Sequence, residues 1–184
     1  MEDVSWYDAL VFCNKLSIAE GLSPAYSISG STNPGDWGTV PTINDNTWNF
    51  PKIVAGSNGY RLPTEAQWEY AAKGGNDTPE NYTYSGSNIV GDVAWYTSNS
   101  NGKTHEVGKK SPNSLGLYDM SGNVREWCWD NYSMYSVIIV FEAGDQVLRG
   151  GGFFSSAFEV RSAYRGHCYS YFRQPDIGFR LVRP

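Results

Sequence analysis

The chain has 184 residues, of which 14 are basic and 19 acidic, and its formal net charge at pH 7 is −5. This balance and the lack of any run of Lys or Arg argue against binding to nucleic acid or to an anionic membrane surface. No apolar stretch is long enough to span a bilayer, and no signal-peptide pattern is present. Aromatic residues make up 15% of the chain and glycines number 20, which predicts a loop-rich α+β fold in one domain.

The first predicted element is a helix that begins after Ser5 and runs to about Ala19. Ser5 has the side chain of a helix N-cap, Asp8 stands at the third helical position, and Gly21 provides a terminator. Apolar side chains recur on one face at helical spacing: Trp6, Ala9, Leu10, Cys13 and Leu16. We expect this face to pack in the core.

A second helix is predicted to begin after Thr64, with Pro63 just before it. Gln67 completes a capping box with Thr64, and Gly74 and Gly75 stop the helix. The side chains expected to face inward are Trp68, Ala71 and Ala72.

Two long stretches are rich in turn-forming residues. For residues 23–51 we expect a surface excursion with one short hairpin at about residues 26–31. Residues 75–110 are similar and hold a short aromatic stretch at residues 93–96. Short strands are predicted at about residues 137–141, 147–149, 160–165 and 177–182.

The last third of the chain alternates regular blocks with irregular ones. We call residues 147–151, 161–165 and 177–182 the frame, and residues 152–160 and 166–176 the first and second filling. The fillings are crowded with Phe, Tyr, Ser, Gly, His and Cys, and neither strand alternation nor helical spacing runs through them. Such residues are typical of binding surfaces that adapt to many targets, which favours recognition over catalysis.

The alternative interpretation of the fillings is a buried core, in which Phe153 in particular packs inward. Against it, consecutive polar residues such as Ser155 and Ser156 are poorly suited to burial. The aromatic residues that we assign to the core are Trp68, Trp127, Tyr164 and Phe179. The arginines of the C-terminal end are predicted to form structural ion pairs: Arg149, Arg161, Arg165, Arg173, Arg180 and Arg183.

Five sequence blocks in a fixed order carry a resemblance to a known family. They are Val-Ser-Trp-Tyr-Asp-Ala at residues 4–9, Tyr-Arg-Leu-Pro-Thr-Glu-Ala-Gln-Trp-Glu-Tyr-Ala-Ala at residues 60–72, Asp-Met-Ser-Gly-Asn-Val-Arg-Glu-Trp at residues 119–127, Leu-Arg-Gly-Gly at residues 148–151 and Gly-Phe-Arg at residues 178–180. Together they resemble the formylglycine-generating-enzyme (sulfatase-modifying factor) family, a branch of the C-type lectin fold.

This resemblance covers residues 4–182 and implies one C-type-lectin-type α+β domain over residues 1–184. The implied architecture has two helices, short twisted antiparallel strands and much irregular loop. The N-terminal strands that are usual in the family would precede Met1, so we expect the chain to lack these strands or a leader.

The alternation of frame and filling is similar to a narrower group, the variable proteins of diversity-generating retroelements. There, error-prone copying at adenines scatters Asn codons into a set of residue types that excludes Trp, Lys, Gln, Glu and Met. Residues 152–158 and 166–173 all belong to the reachable set, whereas Glu159 and Gln174 do not and would be constant. The resemblance therefore implies a variable ligand-binding segment at about residues 152–176.

Within that segment, Phe154, Phe158, Tyr169, Tyr171 and Phe172 are expected to supply apolar contact area. The hydroxyl and imidazole groups would supply adaptable hydrogen bonds. The complete set of expected ligand contacts is Gly152, Phe153, Phe154, Ser155, Ser156, Phe158, Gly166, His167, Cys168, Tyr169, Ser170, Tyr171, Phe172, Arg173 and Asp176.

The enzymes of the resembled family use two cysteines in the segment after Arg-Gly-Gly. Here residues 152–160 contain none, and Ser155 and Val160 lie where such residues would be sought. The chain's cysteines, Cys13, Cys128 and Cys168, form no Cys-x-x-Cys pair and no disulfide ladder, which leaves the redox compartment open. We therefore expect no catalytic residue. The alternative is a formylglycine-generating or related metal-dependent oxidase with altered active-site residues.

Other chemistries find less support in the residues. A two-histidine metal site would need both His105 and His167, and nothing in the sequence sets them together. A hydrolase built on Ser155 or Ser156 lacks the Gly-x-Ser-x-Gly turn.

The resemblance also bears on cofactors and partners. We expect no catalytic cofactor. A structural Ca²⁺ near Asn123 and Glu126 is one option, and hydrogen bonding of these side chains to loop backbone is the other. The implied partner is a protein or glycan on another cell or surface, bound by a monomer that is exported to the bacterial cell surface. Nucleic acid and a transmembrane segment of this chain are not expected.

Overall fold

The structure is a computed structural model that describes residues 2–75, 81–133 and 144–184. The helices within those ranges are α1 (Trp6–Ala19), α2 (Asn46–Asn49), α3 (Glu65–Ala72) and α4 (Val90–Val93), with a 3-10 helix at Pro34–Asp36. The strands are β1 (Tyr26–Ser27), β2 (Lys52–Ile53), β3 (Ala94–Trp95), β4 (Ser121–Gly122), β5 (Arg125–Asn131), β6 (Asp145–Arg149), β7 (Arg165–Tyr169) and β8 (Ile177–Gly178). The α+β class is confirmed.

Helix α1 begins at the predicted capping box. The Ser5 hydroxyl accepts the Asp8 N–H at 3.1 Å, and the Asp8 carboxylate accepts the Ser5 N–H at 2.9 Å. Gly21 follows the helix with a φ of 70°, a conformation that glycine adopts without steric cost. The predicted inner face is buried except at Leu16, which is half-buried.

Helix α3 begins at the second predicted capping box, in which the Thr64 hydroxyl accepts the Gln67 N–H. Trp68 and Ala72 are buried, and Ala71 packs against them from a half-buried position. The two predicted helices are thus confirmed, and the one-turn helices α2 and α4 were not predicted.

Residues 23–51 are mostly exposed or half-buried, as their polar composition suggested, but a few buried residues anchor them in the core. A tight turn joins Ile28 to Ser31 as expected, but β1 pairs with β2, and Trp37 and Trp48 are buried in the core. The indole rings of these tryptophans meet edge to face at 5.8 Å. Burial of two large rings outweighs the turn-rich composition around them.

The main sheet has the strand order β7-β6-β5-β8. Strand β6 pairs antiparallel with β5 and β7, whereas β8 pairs parallel with β5, and β3 pairs parallel with β4. The expectation of antiparallel strands is therefore confirmed for β1–β2, β5–β6 and β6–β7 and is wrong for the two parallel pairs. Parallel neighbours need a long connection instead of a hairpin, so their direction depends on the tertiary path of the chain.

The predicted strand positions need two corrections. Residues 160–164 form turns, and the strand predicted there begins only at Arg165, because the Arg149 side chain binds the carbonyls of Ser162 and Tyr164. The strand predicted at residues 177–182 is limited to β8, with one further bridge from Val182 to Arg61. Residues 147–149 lie in β6 as predicted, and residues 137–141 lie outside the described residues.

Strand β6 separates the core into two layers because neighbouring side chains of a strand point to opposite faces. On the α1 face, Leu148 belongs to a cluster that includes Trp6, Trp127 and Ile177. On the α3 face, Val147 belongs to a cluster with Trp68, Ala72, Met120 and Cys128. The core assignment of Trp68 and Trp127 is confirmed, whereas Tyr164 and Phe179 are only half-buried.

No helix in the described ranges is both long enough and apolar enough to cross a membrane.

Candidate functional site

A cleft of about 490 Å³ lies where the two fillings meet, and we call it the filling cleft. Phe154, Ser155 and Glu159 come from the first filling, and Gly166, His167 and Asp176 come from the second. The remaining lining residues are Arg125, Tyr132, Tyr164 and Arg165. Segments that are separate in sequence thus form one concave surface.

The Gly150-Gly151 pair directs the chain from β6 into this cleft. Their φ angles of 86° and 68° lie in the left-handed region that favours glycine. A Cβ at Gly151 would stand 2.8 Å from the Glu159 carbonyl oxygen, and one at Gly150 would stand 3.1 Å from the Trp68 ring. The turn therefore requires residues without side chains.

Strand β7 supplies the opposite wall. Its register pairs His167 with Val147 and Arg165 with Arg149, so these side chains project toward the α3 face of the sheet. His167 lies 2.9 Å from the Asp145 carboxylate and stacks on Tyr132 with 4.3 Å between ring centroids. The imidazole is therefore held in place.

Ion pairs hold the charged walls of the cleft. Arg125 donates two hydrogen bonds to the Asp176 carboxylate, both at 2.9 Å, and Arg165 donates two to Glu65 at 2.5 and 2.7 Å. Paired guanidinium and carboxylate groups in this planar geometry fix the backbone that carries them. The predicted structural role is confirmed for Arg149, Arg165, Arg173 and Arg180, whereas Arg161 and Arg183 lie over the rings of Phe158 and Tyr60.

The expected contact residues divide by exposure. Those with exposed side chains are Phe154, Ser156, Phe158, His167, Tyr169 and Phe172. Half-buried positions are Gly166, Cys168, Tyr171 and Arg173. Buried positions are Gly152, Phe153, Ser155, Ser170 and Asp176. Of this last group, Ser155 and Asp176 still line the filling cleft, whereas Gly152, Phe153 and Ser170 do not, and for these three the expected display at the surface is corrected.

Exposed and half-buried aromatic side chains of the last third of the chain form two groups. Phe158 meets Tyr164 edge to face at 5.7 Å, with the Arg161 guanidinium 4.7 Å from the Phe158 ring. The second group consists of Tyr169, Tyr171 and Phe172, whose ring centroids are 4.8 to 5.7 Å apart. Mutual packing of this kind restricts rotamers before any ligand is present.

Comparison with known proteins agrees with this geometry. The family model of the sulfatase-modifying factor enzyme 1-like domain matches residues 1–184. The chain belongs to the sulfatase-modifying factor enzyme 1-like domain family. The fold of the formylglycine-generating-enzyme type is therefore confirmed.

Three proteins of known name are similar to this chain over different shares of its length. Treponema denticola variable protein 1 is 41% identical with a TM-score of 0.87, and the match covers 100% of this chain and 71% of that one. The chaperone protein LppX of Paenibacillus barcinonensis is 42% identical over 200 residues, covering 100% of this chain and 69% of LppX. The formylglycine-generating enzyme of Thermomonospora curvata is 38% identical over 103 residues, covering 47% and 32%. The predicted resemblance to a variable protein is confirmed.

The cysteines of this family member lack the environment of reactive thiols. Burial raises the pKa of the Cys13 thiol to about 12 and raises the pKa values of Cys128 and Cys168. A nucleophilic or metal-binding cysteine needs the thiolate, which requires a lowered pKa.

The histidines also have separate roles. His105 stacks on Trp95 at 3.9 Å and lies 2.7 Å from the Ser100 carbonyl oxygen, whereas His167 faces Asp145. In the described part of the chain, no three His, Cys, Asp or Glu side chains are grouped as metal ligands.

The calcium expectation does not fit the side chains on which it rested. Both carboxylate oxygens of Glu126 bind Arg180, and one of them also accepts the Trp68 indole N–H at 2.6 Å. The Asn123 amide exchanges two hydrogen bonds with the backbone of His105. A hard cation needs six or more oxygens, and these groups are already engaged.

We predict that the thiols react slowly in the native protein. Cys13 and Cys128 should not react with Ellman's reagent until the chain unfolds, and Cys168 should react roughly tenfold or more slowly than free cysteine. The measurement is the absorbance time course at pH 8, with guanidinium-unfolded protein as the control. A native thiol that reacts faster than free cysteine would contradict the assignment of these groups as unreactive.

The second filling is fastened to α1 by an ion pair. Arg173 Nε lies 2.7 Å from Asp8 Oδ2. Burial alone would raise the pKa of Asp8, but hydrogen bonds from Arg173 and Ser5 outweigh it and hold the pKa below the ordinary value of 3.8. A lowered carboxylate pKa stabilises the fold above the unfolded-state pKa, and this stabilisation is lost as the pH falls through the folded-state pKa.

We therefore predict that stability declines below about pH 3.8 partly through Asp8. The Asp8→Asn variant should be less stable than the wild type by about 1 kcal/mol at neutral pH, and the difference should shrink in acid. Urea unfolding at several pH values measures this. Glu106→Gln, in an exposed pair with Lys109, is the control. If acid lowers the free energy of unfolding equally in the wild type and in Asp8→Asn, Asp8 does not contribute to the acid sensitivity.

Sequence reasoning missed five residues of the filling cleft. Tyr164 and Arg165 belong to the frame, and Glu159 lies in the first filling but was expected to be constant, so their position in or beside the fillings was the available signal. Arg125 and Tyr132 lie about 20 or more residues before the fillings in the sequence, and only the sheet brings them together.

Proposed function

We propose that this chain is a non-catalytic ligand-binding display protein whose contact surface surrounds the filling cleft. The observation that carries the proposal is that both fillings contribute walls to one cleft, while paired charges hold the scaffold beneath it. A rigid scaffold that presents irregular, exposed segments is a recurrent arrangement for recognition.

In this proposal the exposed rings provide most of the binding free energy. Phe154, Phe158 and Phe172 lose few rotatable bonds on binding and bring large apolar areas. Ser156 and His167 add hydrogen bonds at the rim. The partner is a protein or glycan on another cell or surface.

We further propose that a retroelement diversifies the exposed positions of the fillings. Similarity to Treponema denticola variable protein 1 over 100% of this chain and 71% of that one supports this proposal. The side chains of Arg173 and Asp176 hold ion pairs with Asp8 and Arg125, so we expect less variation there than at the exposed positions. This expectation leaves fewer variable positions than the residue types alone allowed.

Sequencing tests the diversification directly. The 3′ end of the gene would be read in many clones of one source population, together with its genomic neighbourhood. Substitutions confined to residues 152–158 and 166–176, matched to adenines of a nearby near-identical template, would support the proposal. An invariant segment without a template would refute it.

The alternative function is a metal-dependent oxidase with altered active-site residues. It conflicts with the raised pKa values of the thiols and with the absence of cysteine from residues 152–160. Oxygen consumption by purified protein supplied with copper or iron would favour it, with a catalytic member of the family as the positive control. No consumption beyond the metal blank would favour the display function.

We also propose that the protein is a monomer exported to the bacterial cell surface, as the resemblance to variable proteins implies. Antibody labelling of intact cells, compared with permeabilised cells, tests the location. Light scattering on the purified chain tests the oligomeric state. Labelling that requires permeabilisation, or a dimeric mass, would overturn the corresponding part.

A further inference from the structure

A second cleft, of about 380 Å³, lies on the other side of the main sheet, and we call it the amide cleft. Its lining includes Asn49, Phe50, Trp129, Asp130, Asn131 and Gln146. Gln146 precedes Val147 in β6, so its side chain points to the α1 face, opposite to the face that carries His167. No residue of either filling lines this cleft, so its composition is independent of any variation there.

The amide cleft contains an unpaired polar atom. Gln146 is 1% exposed, and its Nε2 donates to Asn131 Oδ1 at 2.8 Å. Its Oε1 is buried and has no hydrogen-bond partner within the described residues. An unpaired buried acceptor destabilises a fold, and nearly all such atoms in native proteins have a protein, water or ligand partner. This oxygen therefore indicates a missing donor at the cleft.

Aromatic surface adjoins this acceptor. The Trp129 ring is immobilised by stacking on Tyr26, with ring centroids 5.0 Å apart and planes 11° apart, and by contact with Trp6. Phe50 is 63% exposed and also lines the cleft. The volume is at the small end of the range of about 300–1,000 Å³ for small-molecule sites.

The remaining polar groups restrict the ligand. Asp130 uses Oδ2 to accept the Glu65 N–H at 2.6 Å, and the Asn131 side chain is exposed at the cleft. No Lys or Arg lines the cleft, which disfavours an anionic ligand. Amide and carboxylate oxygens beside an aromatic wall match a ligand that has several hydroxyl donors and one apolar face.

We propose that the amide cleft binds one neutral saccharide unit without a metal ion. A ring hydroxyl donates to Gln146 Oε1, neighbouring hydroxyls bond to the Asn131 amide, and the C–H face of the sugar packs on Phe50 and Trp129. This site is separate from the filling cleft, so it would give the protein one constant ligand whatever the fillings bind.

The test is NMR titration of full-length protein with the methyl glycosides of glucose, galactose, mannose and N-acetylglucosamine, in EDTA. At least one glycoside should shift the indole N–H signals of Trp6 or Trp129 and show saturation transfer from the protein. Gln146→Leu and Phe50→Ala should each weaken that binding roughly fivefold or more. Ile53→Ala, an exposed residue of β2 outside the cleft, should leave it unchanged.

Every result bears on the proposal. No indole shift with any of the glycosides overturns it, as does binding that is equal in the wild type, Gln146→Leu and Phe50→Ala. If the wild type binds no glycoside and the Gln146→Leu variant is more heat-stable than the wild type, Gln146 Oε1 is bonded to ordered water alone and the proposal is overturned. If Gln146→Leu fails to fold, Phe50→Ala decides, because its side chain is exposed. Phe154→Ala should retain glycoside binding, which keeps this test separate from that of the filling cleft.

Discussion

Replacing Arg149 with methionine should lower the free energy of unfolding by about 3–5 kcal/mol, because it removes one partner of a buried charge network. The Arg149 side chain has no exposed surface, whereas Glu65 and Glu69, with which it pairs, are 11% and 29% exposed. Methionine has a similar length but supplies no donor. Among the described residues, Arg165 would still pair with Glu65 and Lys73 with Glu69.

Arg149→Met also removes hydrogen bonds to backbone carbonyl groups of the frame, which further destabilises the fold. Arg149 Nη2 donates to the Ser162 carbonyl at 2.8 Å, and Nη1 donates to the Tyr164 carbonyl at 3.0 Å. Its guanidinium also lies 5.2 Å from the Trp68 ring centroid. Loss of these bonds leaves backbone acceptors unpaired where no strand ladder can replace them. The segment between the fillings should therefore lose its fixed position.

Urea unfolding monitored by tryptophan fluorescence measures the effect. The matched control is Lys109→Met, since Lys109 and Glu106 form an ion pair with side chains 56% and 74% exposed. Its loss should be about 0.5 kcal/mol or less. If Arg149→Met lowers the free energy of unfolding no more than this control does, the buried charge network does not stabilise the fold.

The second large effect separates two adjacent phenylalanines. Phe153→Ala should lower the free energy of unfolding by about 3–5 kcal/mol, as is usual for a buried ring. Phe154→Ala should cost about 1 kcal/mol or less, chiefly through contact with its neighbour. Phe153 is 4% exposed and Phe154 is 61% exposed, and their ring centroids are 4.2 Å apart.

The reason for this difference is the direction of each ring. The Phe153 backbone binds the Asn123 carbonyl and the Ser100 hydroxyl, which holds its ring inward, whereas Phe154 lines the filling cleft. Under the proposed function, Phe154→Ala should retain the fold and weaken ligand binding. Thermal unfolding of both variants is the measurement. Equal, large losses would support the buried-core interpretation of the first filling instead.

Local sequence determined the parts of this protein that depend on neighbouring residues. The capping boxes at Ser5 and Thr64 were predictable because donor and acceptor stand three residues apart. The family blocks, taken in order, were sufficient for the fold class. The irregular composition of the fillings predicted a surface, and several of their side chains are exposed.

Only the tertiary structure decided the features that depend on distant partners. Burial of Trp37 and Trp48 contradicts their polar surroundings, because a large ring is placed by the core that it reaches. The strand predicted from residue 160 begins at Arg165, because a buried guanidinium takes the carbonyls that a ladder would have used. Within the first filling, no hydrophobic periodicity of the sequence predicts that Phe153 is buried and Phe154 exposed. The different burial of the two rings depends on contacts with residues 30 and 53 positions away, which lie close only after the sheet has formed.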